Sequence, residues 1–196
     1  MNGLGRICSQ KNILLFLYIT IFLLPISPVG LYVPLIFAIL LSLGHRISEK
    51  RQIWSFGPLK WPAAGFLICS FLSVFASVDI RFSLFNWIFL PLMYAALYVL
   101  VLSHIRTETE RKSALIVFLS GALCVILWGV FQYTDIGMMA KDLNAQAWVD
   151  PERFPLLKRR MFSTLENPNL FGAYLLMVIS VVISCLLPEA DRKTKV

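Results

Sequence analysis

Residues 13–43 form an unbroken stretch without a single charged side chain. A chain that must hide such a stretch has few folds open to it. One membrane-crossing helix needs roughly 20 apolar residues, because each residue rises about 1.5 Å through a hydrocarbon core about 30 Å thick. The stretch is too long for one straight span, and Pro25, Pro28, Gly30 and Pro34 interrupt it. It therefore predicts two helices, 13–27 and 31–44, joined by a turn at residues 27–30. Four further apolar runs predict helices at 63–77, 83–104, 114–133 and 168–187, the second of them kinked at Pro91. The expected fold is all-α: a polytopic transmembrane helical bundle of about six helices, residues 1–196 forming a single domain, with a polar outer loop at 135–167.

Composition closes off the alternatives. Apolar residues make up 58% of the chain and charged residues 15%, whereas soluble domains hold roughly half and a quarter. The net charge of +7 would point to nucleic acid in a soluble protein. Here Lys and Arg stand in short clusters between apolar runs. The 15 Phe and 5 Trp residues lie mostly in or beside those runs rather than in basic segments where bases could stack on them. No nucleic-acid partner is expected. Cys8, Cys69, Cys124 and Cys185 are far apart and have no His at zinc spacing, so neither a disulfide framework nor a metal or other cofactor is expected.

Orientation follows from the cations. Arg6 and Lys11 precede the first apolar stretch as in a signal peptide, but no small-residue cleavage site follows, which predicts an uncleaved first helix. With the amino terminus inside, the inner segments carry Arg6, Lys11, Arg46, Lys50, Arg51, Lys60, Arg106, Arg111, Lys112, Arg192, Lys193 and Lys195. The outer segments carry Arg81, Lys141, Arg153, Lys158, Arg159 and Arg160. Treating 13–43 as one helix would even out that imbalance, so the positive-inside rule favours the hairpin and cytoplasmic termini.

The outer loop holds most of the outer cations, a use of charge that asks for a reason. Asn167 is suited to cap a helix and Pro168 to occupy its first position. A helix amino end attracts anions, and Lys158, Arg159 and Arg160 stand just upstream. Arg suits a diphosphate because its planar fork binds two oxygens together. The residues alone leave two readings open: a specific phosphate site at the outer boundary, or flanking cations held by anionic lipid heads.

Residues 160–169 read Arg-Met-Phe-Ser-Thr-Leu-Glu-Asn-Pro-Asn and lead into an apolar segment containing Gly172 and Tyr174. This run resembles the signature of the O-antigen ligase / O-antigen polymerase family, roughly Arg-x-x-Gly-Thr-Phe-x-Asn-Pro-Asn at the outer end of a helix. Arg160, Thr164, Asn167, Pro168 and Asn169 match in register; Ser163 replaces the usual Gly and Leu165 the usual Phe. Ser77, Asp79 and Ser83 are similar to an earlier outer turn of the family. The resemblance implies the amino-terminal half of a glycosyltransferase-C-like membrane domain in the bacterial plasma (inner) membrane. It implies transfer of a glycan from an undecaprenyl-diphosphate donor to a lipid-A core, another glycan or a protein, outside the membrane. Arg160 would hold the donor diphosphate, with Arg159 and Lys158 in support. Family members are usually longer and carry a second outer loop with a His and further Arg residues. The histidines here are His45 and His104, both expected at the inner interface rather than in catalysis.

Other residues carry plainer expectations. Glu166 lies beside the motif, where a carboxylate can serve as a base; pairing with the helix dipole is the commoner use and the expectation here. Asp79 and Arg81 share a short turn and pair with each other. Trp148, Phe154, Leu156 and Leu157 give the outer loop an interfacial apolar piece, and Trp54 and Trp61 are belt residues. Residues 108–112 are a solvated charge run. Two other function classes fit the layout: half of a lipid-linked-sugar or solute transporter, and a non-catalytic membrane subunit or truncated relic. Against the transporter stands the lack of an acid or base within the apolar runs.

Overall fold

The structure is a computed structural model that describes residues 8–49, 54–134, 161–165 and 167–186. It is all-α. Among the described residues six helices follow one another as α1 (Gln10–Leu23), α2 (Tyr32–Glu49), α3 (Lys60–Phe75), α4 (Ile80–His104), α5 (Glu108–Phe131) and α6 (Pro168–Leu186), with a short 3-10 turn at Ser163–Leu165. The chain divides into two compact units, Met1–Val117 and Phe118–Val196.

Most helices start earlier than the apolar runs alone indicate, because their first turns are polar. Ser9 caps α1, its hydroxyl accepting from the Asn12 amide at 3.4 Å. Asp79 caps α4 by accepting from the Phe82 amide at 3.0 Å, so its carboxylate serves the helix start rather than the expected pairing with Arg81. At α5, the Glu110 carboxylate accepts from the Thr107 and Arg106 amides at 2.8 and 2.9 Å, and the Thr107 hydroxyl accepts from the Glu110 amide at 3.2 Å. This is a capping box: two orphan ends satisfied reciprocally. Within the run 108–112, Glu110 is therefore a structural residue, while Glu108 pairs with Arg111 and Lys112 on the exposed side.

In the first unit, α1 and α2 form a hairpin. Their connection is a turn in which the Ser27 hydroxyl accepts from the Gly30 amide at 2.9 Å. Pro34 lies in the first turn of α2, where amides have no intrahelical acceptor in any case. Ile13 and Leu17 of α1 and Leu35 and Ala38 of α2 recur at helical spacing. With Leu31, they bury against Leu97 and Leu100 of α4. Thr20 is buried too, its hydroxyl returned to the Phe16 carbonyl at 2.8 Å, which removes the cost of an unpaired polar group. Pro91 does not end α4. The helix widens into a π-helical turn at Ile88–Leu92 and continues as an α-helix from Met93. A proline lacks its N–H and crowds the carbonyl four residues back, and the wider turn relieves both.

In the second unit, Ala122 and Val125 of α5 and Phe171 and Val178 of α6 are buried together with Phe162. Phe118 and Tyr174 meet edge to face at 6.4 Å.

Helices α4, α5 and α6 are long and apolar enough to cross a membrane. The expectation of about six helices is met among the described residues, and the three expected to be short, α1, α2 and α3, are the apolar helices that fall short of a full span. The 14 residues of α1 rise only about 21 Å. The length and composition of the three long helices mark a membrane protein with several spans.

Candidate functional site

The segment carrying the signature-like residues is anchored in the second unit, and its described part begins at Met161. Residues 158, 159 and 160, the three cations assigned to a phosphate, lie outside the described residues, as do Glu166 and the loop's Trp148, Phe154, Leu156 and Leu157.

Ser163 is the pivot. It is 3% exposed and has a φ of 54°, in the left-handed region that L side chains other than Asn, Asp and His rarely enter. Three hydrogen bonds hold it there. The Gln132 side chain clasps its backbone on both edges, accepting from the Ser163 amide at 2.8 Å and donating to the Ser163 carbonyl at 3.2 Å. The Ser163 hydroxyl donates to the Val125 carbonyl of α5 at 2.5 Å. Gln132 is itself buried, so the clasp is shielded from competing water. Gly129 makes the approach possible. A Cβ there would lie 3.1 Å from the Phe171 ring and 3.5 Å from the Ser163 Cβ, tighter than the ring accepts without shifting.

From this pivot the chain runs through Thr164 and Leu165 to the start of α6. The Asn167 side chain accepts from the Asn169 amide at 2.8 Å, its carbonyl accepts from the Phe171 amide at 3.0 Å, and Pro168 is the first helical residue. Thr164, Asn167, Pro168 and Asn169 thus lie within one turn of the α6 amino end. The cap bond satisfies the Asn169 amide, Pro168 has no amide to satisfy, and the positive end of the helix dipole favours an anion.

A second polar cluster, in the first unit, was not legible in the sequence. His104, expected at an interface, is 2% exposed at the end of α4. The Gln10 side-chain amide donates to the His104 carbonyl at 2.9 Å. A carbonyl only accepts, so this contact fixes which end of the Gln10 amide is nitrogen. The Gln10 oxygen then faces His104 Nδ1 at 2.9 Å, which must carry the proton. In the neutral imidazole His104 Nε2 is then the acceptor, and the Ser42 hydroxyl, 2.8 Å away, donates to it. The Ser42 oxygen in turn accepts from the Trp54 indole N–H at 3.1 Å. Every donor has one acceptor along the chain Trp54 to Ser42 to His104 to Gln10. Arg46 lies over the Trp54 ring at 4.5 Å, so this Trp is a packed network member and not only a belt residue. Next to the cluster is a cavity of about 260 Å³ lined by Gln10, His45, Ser103, His104, Arg106, Thr107 and Glu110. Both ring nitrogens of His104 are committed, which suits a clamp and leaves no free lone pair for general-base work. No short-range spacing signals this cluster, because Gln10, Ser42, Trp54 and His104 meet only through tertiary packing.

Among the described residues no group of His, Cys, Asp or Glu is placed to hold a metal ion. Comparison of the chain with family models, with curated proteins and with solved structures finds no match.

Proposed function

We propose that this chain is a multi-pass protein of the bacterial inner membrane with both termini cytoplasmic. In this reading it acts as an O-antigen-ligase-like glycosyltransferase on an undecaprenyl-diphosphate-linked glycan. The observation that carries the reading is the conformation of Ser163. The signature that residues 160–169 resemble has Gly at this place, and the left-handed backbone there is the one Gly adopts at no steric cost. A local backbone requirement thus agrees with the motif at one of the two positions where the residues differ from it. The capped start of α6 at Asn167 and Pro168, which the positive-inside orientation assigns to the outer side, supports it further.

In this reading an acceptor hydroxyl attacks the anomeric carbon of the donor sugar. The bond from that carbon to the diphosphate oxygen breaks, and the electron pair leaves with the diphosphate. The hydroxyl proton passes to a base that these residues do not supply. Arg160 binds the diphosphate and stabilises the charge that grows on it, a task for which fixed cations suffice. Lys158 and Arg159 add to the local field. The acceptor is a lipid-A core, another glycan or a protein, and the membrane lipids are the solvent.

The test is transfer from lipid-linked glycan by the full-length protein with Arg160→Ala. A cation that stabilises the leaving group supplies several kcal/mol, so turnover falls by at least about a hundredfold at unchanged expression. Turnover equal to the unsubstituted protein removes Arg160 from the mechanism. Arg160→Lys separates the roles: it keeps the charge and loses the bidentate fork, and it retains part of the activity.

A further inference from the structure

Helices α3 and α4 enclose an apolar groove that neither the motif nor the His104 cluster uses. Leu59, Ala63 and Phe66 line one wall and Pro91, Ala95 and Tyr98 the other, in a cavity of about 460 Å³. On each wall the three residues follow the i, i+4, i+7 spacing of one helix face, so the groove runs along the helix axes for about two turns. Two features keep it open. Ala63 and Ala95 are small where larger side chains would close the gap, and the π-helical turn at Pro91 displaces the α4 backbone from regular α geometry.

The two ends of the groove differ. At the Pro91 end it is walled by carbon. At the other, the Tyr98 hydroxyl donates to the Phe56 carbonyl at 3.3 Å, and Gly57, at a φ of 60°, presses so close that a Cβ would lie 2.9 Å from that hydroxyl. The chain then turns into α3 through Lys60 and Trp61. Lys60 is exposed and lies 5.6 Å from the ring of Trp61, itself 76% exposed. A cation beside an exposed indole at the start of an apolar helix is the arrangement that anchors a helix end at a lipid headgroup.

We propose that this groove is a binding site for one acyl chain of an anionic phospholipid, with its phosphate at Lys60. The inference rests on the reading of the chain as a membrane protein and is independent of glycosyl transfer. The lining residues carry no ionised group, which disfavours a charged solute along the groove, and the residue that follows the lining Leu59 in the chain is the exposed cation Lys60. The groove's short length fits part of one straight chain. On the positive-inside orientation the lipid belongs to the inner leaflet.

The test uses the full-length protein in mild detergent, exchanged against palmitoyl-oleoyl phosphatidylglycerol, the matching phosphatidylcholine, or undecaprenyl phosphate, with retained lipid read by native mass spectrometry. Phosphatidylglycerol is retained about fivefold over phosphatidylcholine, the preference expected of one cation near the headgroups. Lys60→Gln, a change at an exposed side chain, abolishes that preference. Ala63→Leu with Ala95→Leu fills the groove and removes the retained phosphatidylglycerol while circular dichroism and elution volume stay unchanged. Equal retention of the two phospholipids by the unsubstituted protein overturns the proposal, as does full retention by the groove-filled variant. Preferential retention of undecaprenyl phosphate overturns it too, by assigning the groove to the carrier lipid. Should the double variant fail to fold, Lys60→Gln alone decides: an unchanged preference for phosphatidylglycerol defeats the proposal.

Discussion

At Ser163 two opposing terms of similar size set what a substitution does. Holding a residue with a Cβ in the left-handed region costs roughly 1–2 kcal/mol. The hydroxyl bond to the Val125 carbonyl returns about 1 kcal/mol. Ser163→Gly relieves the first and loses the second, so it shifts stability by less than about 1 kcal/mol in either direction. Ser163→Val loses the bond and worsens the backbone conflict, because a β-branched residue is a genuine outlier there; it destabilises by about 2 kcal/mol or more. Melting of the purified protein in detergent checks both, and a Val variant as stable as the Gly variant would show that the turn relaxes. His104 makes a stricter case. His104→Ala leaves the Ser42 hydroxyl and the Gln10 amide oxygen without their partner in a buried site. The expected loss is about 3 kcal/mol, accompanied by a change in Trp54 emission as its end of the chain loosens. A much smaller loss would mean that water replaces the imidazole.

Helix boundaries were partly legible in the sequence, and the reason for the misses is chemical. Apolar runs mark where a helix is buried or meets lipid; they do not mark where its backbone hydrogen bonds begin. The starts of α1, α4 and α5 precede their apolar runs because Ser9, Asp79 and the Thr107–Glu110 pair satisfy the first amides. Asn167 and Pro168 were readable as a helix start because a capping side chain next to a proline has few other uses, and α6 starts at Pro168. The turn at Pro91 was readable as a disturbance, but its form was not: a kink and a π turn both answer a missing amide. Glu110→Ala removes the acceptor for two amides and costs about 1 kcal/mol. Amide hydrogen exchange checks the location: protection falls in the first turn of α5 and is unchanged at residues 118–131. Exchange that rises along all of α5 would contradict a local cap.

For the whole molecule, the distribution of Lys and Arg makes one prediction that no single helix makes. With the four cysteines replaced by Ala, Lys50→Cys and Lys141→Cys place single thiols in segments expected on opposite sides. A membrane-impermeant maleimide added to intact cells labels position 141 and leaves position 50 unlabelled until the membrane is opened. The reverse pattern inverts the topology. By itself the sequence determined that the chain is helical and strongly apolar, as residues 13–43 without charge require, and it marked where α6 begins. It also identified the resemblance at residues 160–169 and with it the expected role of Arg160. Only the tertiary structure decided that Gln132 clasps Ser163, that His104 closes a directed chain from Trp54 to Gln10, and that α3 and α4 stand apart around a groove. The physical reason is range. Periodicity, caps and proline act within a turn or two of backbone and are written in adjacent residues, whereas a hydrogen bond between residues 10 and 104 has no local signature until packing brings its ends together.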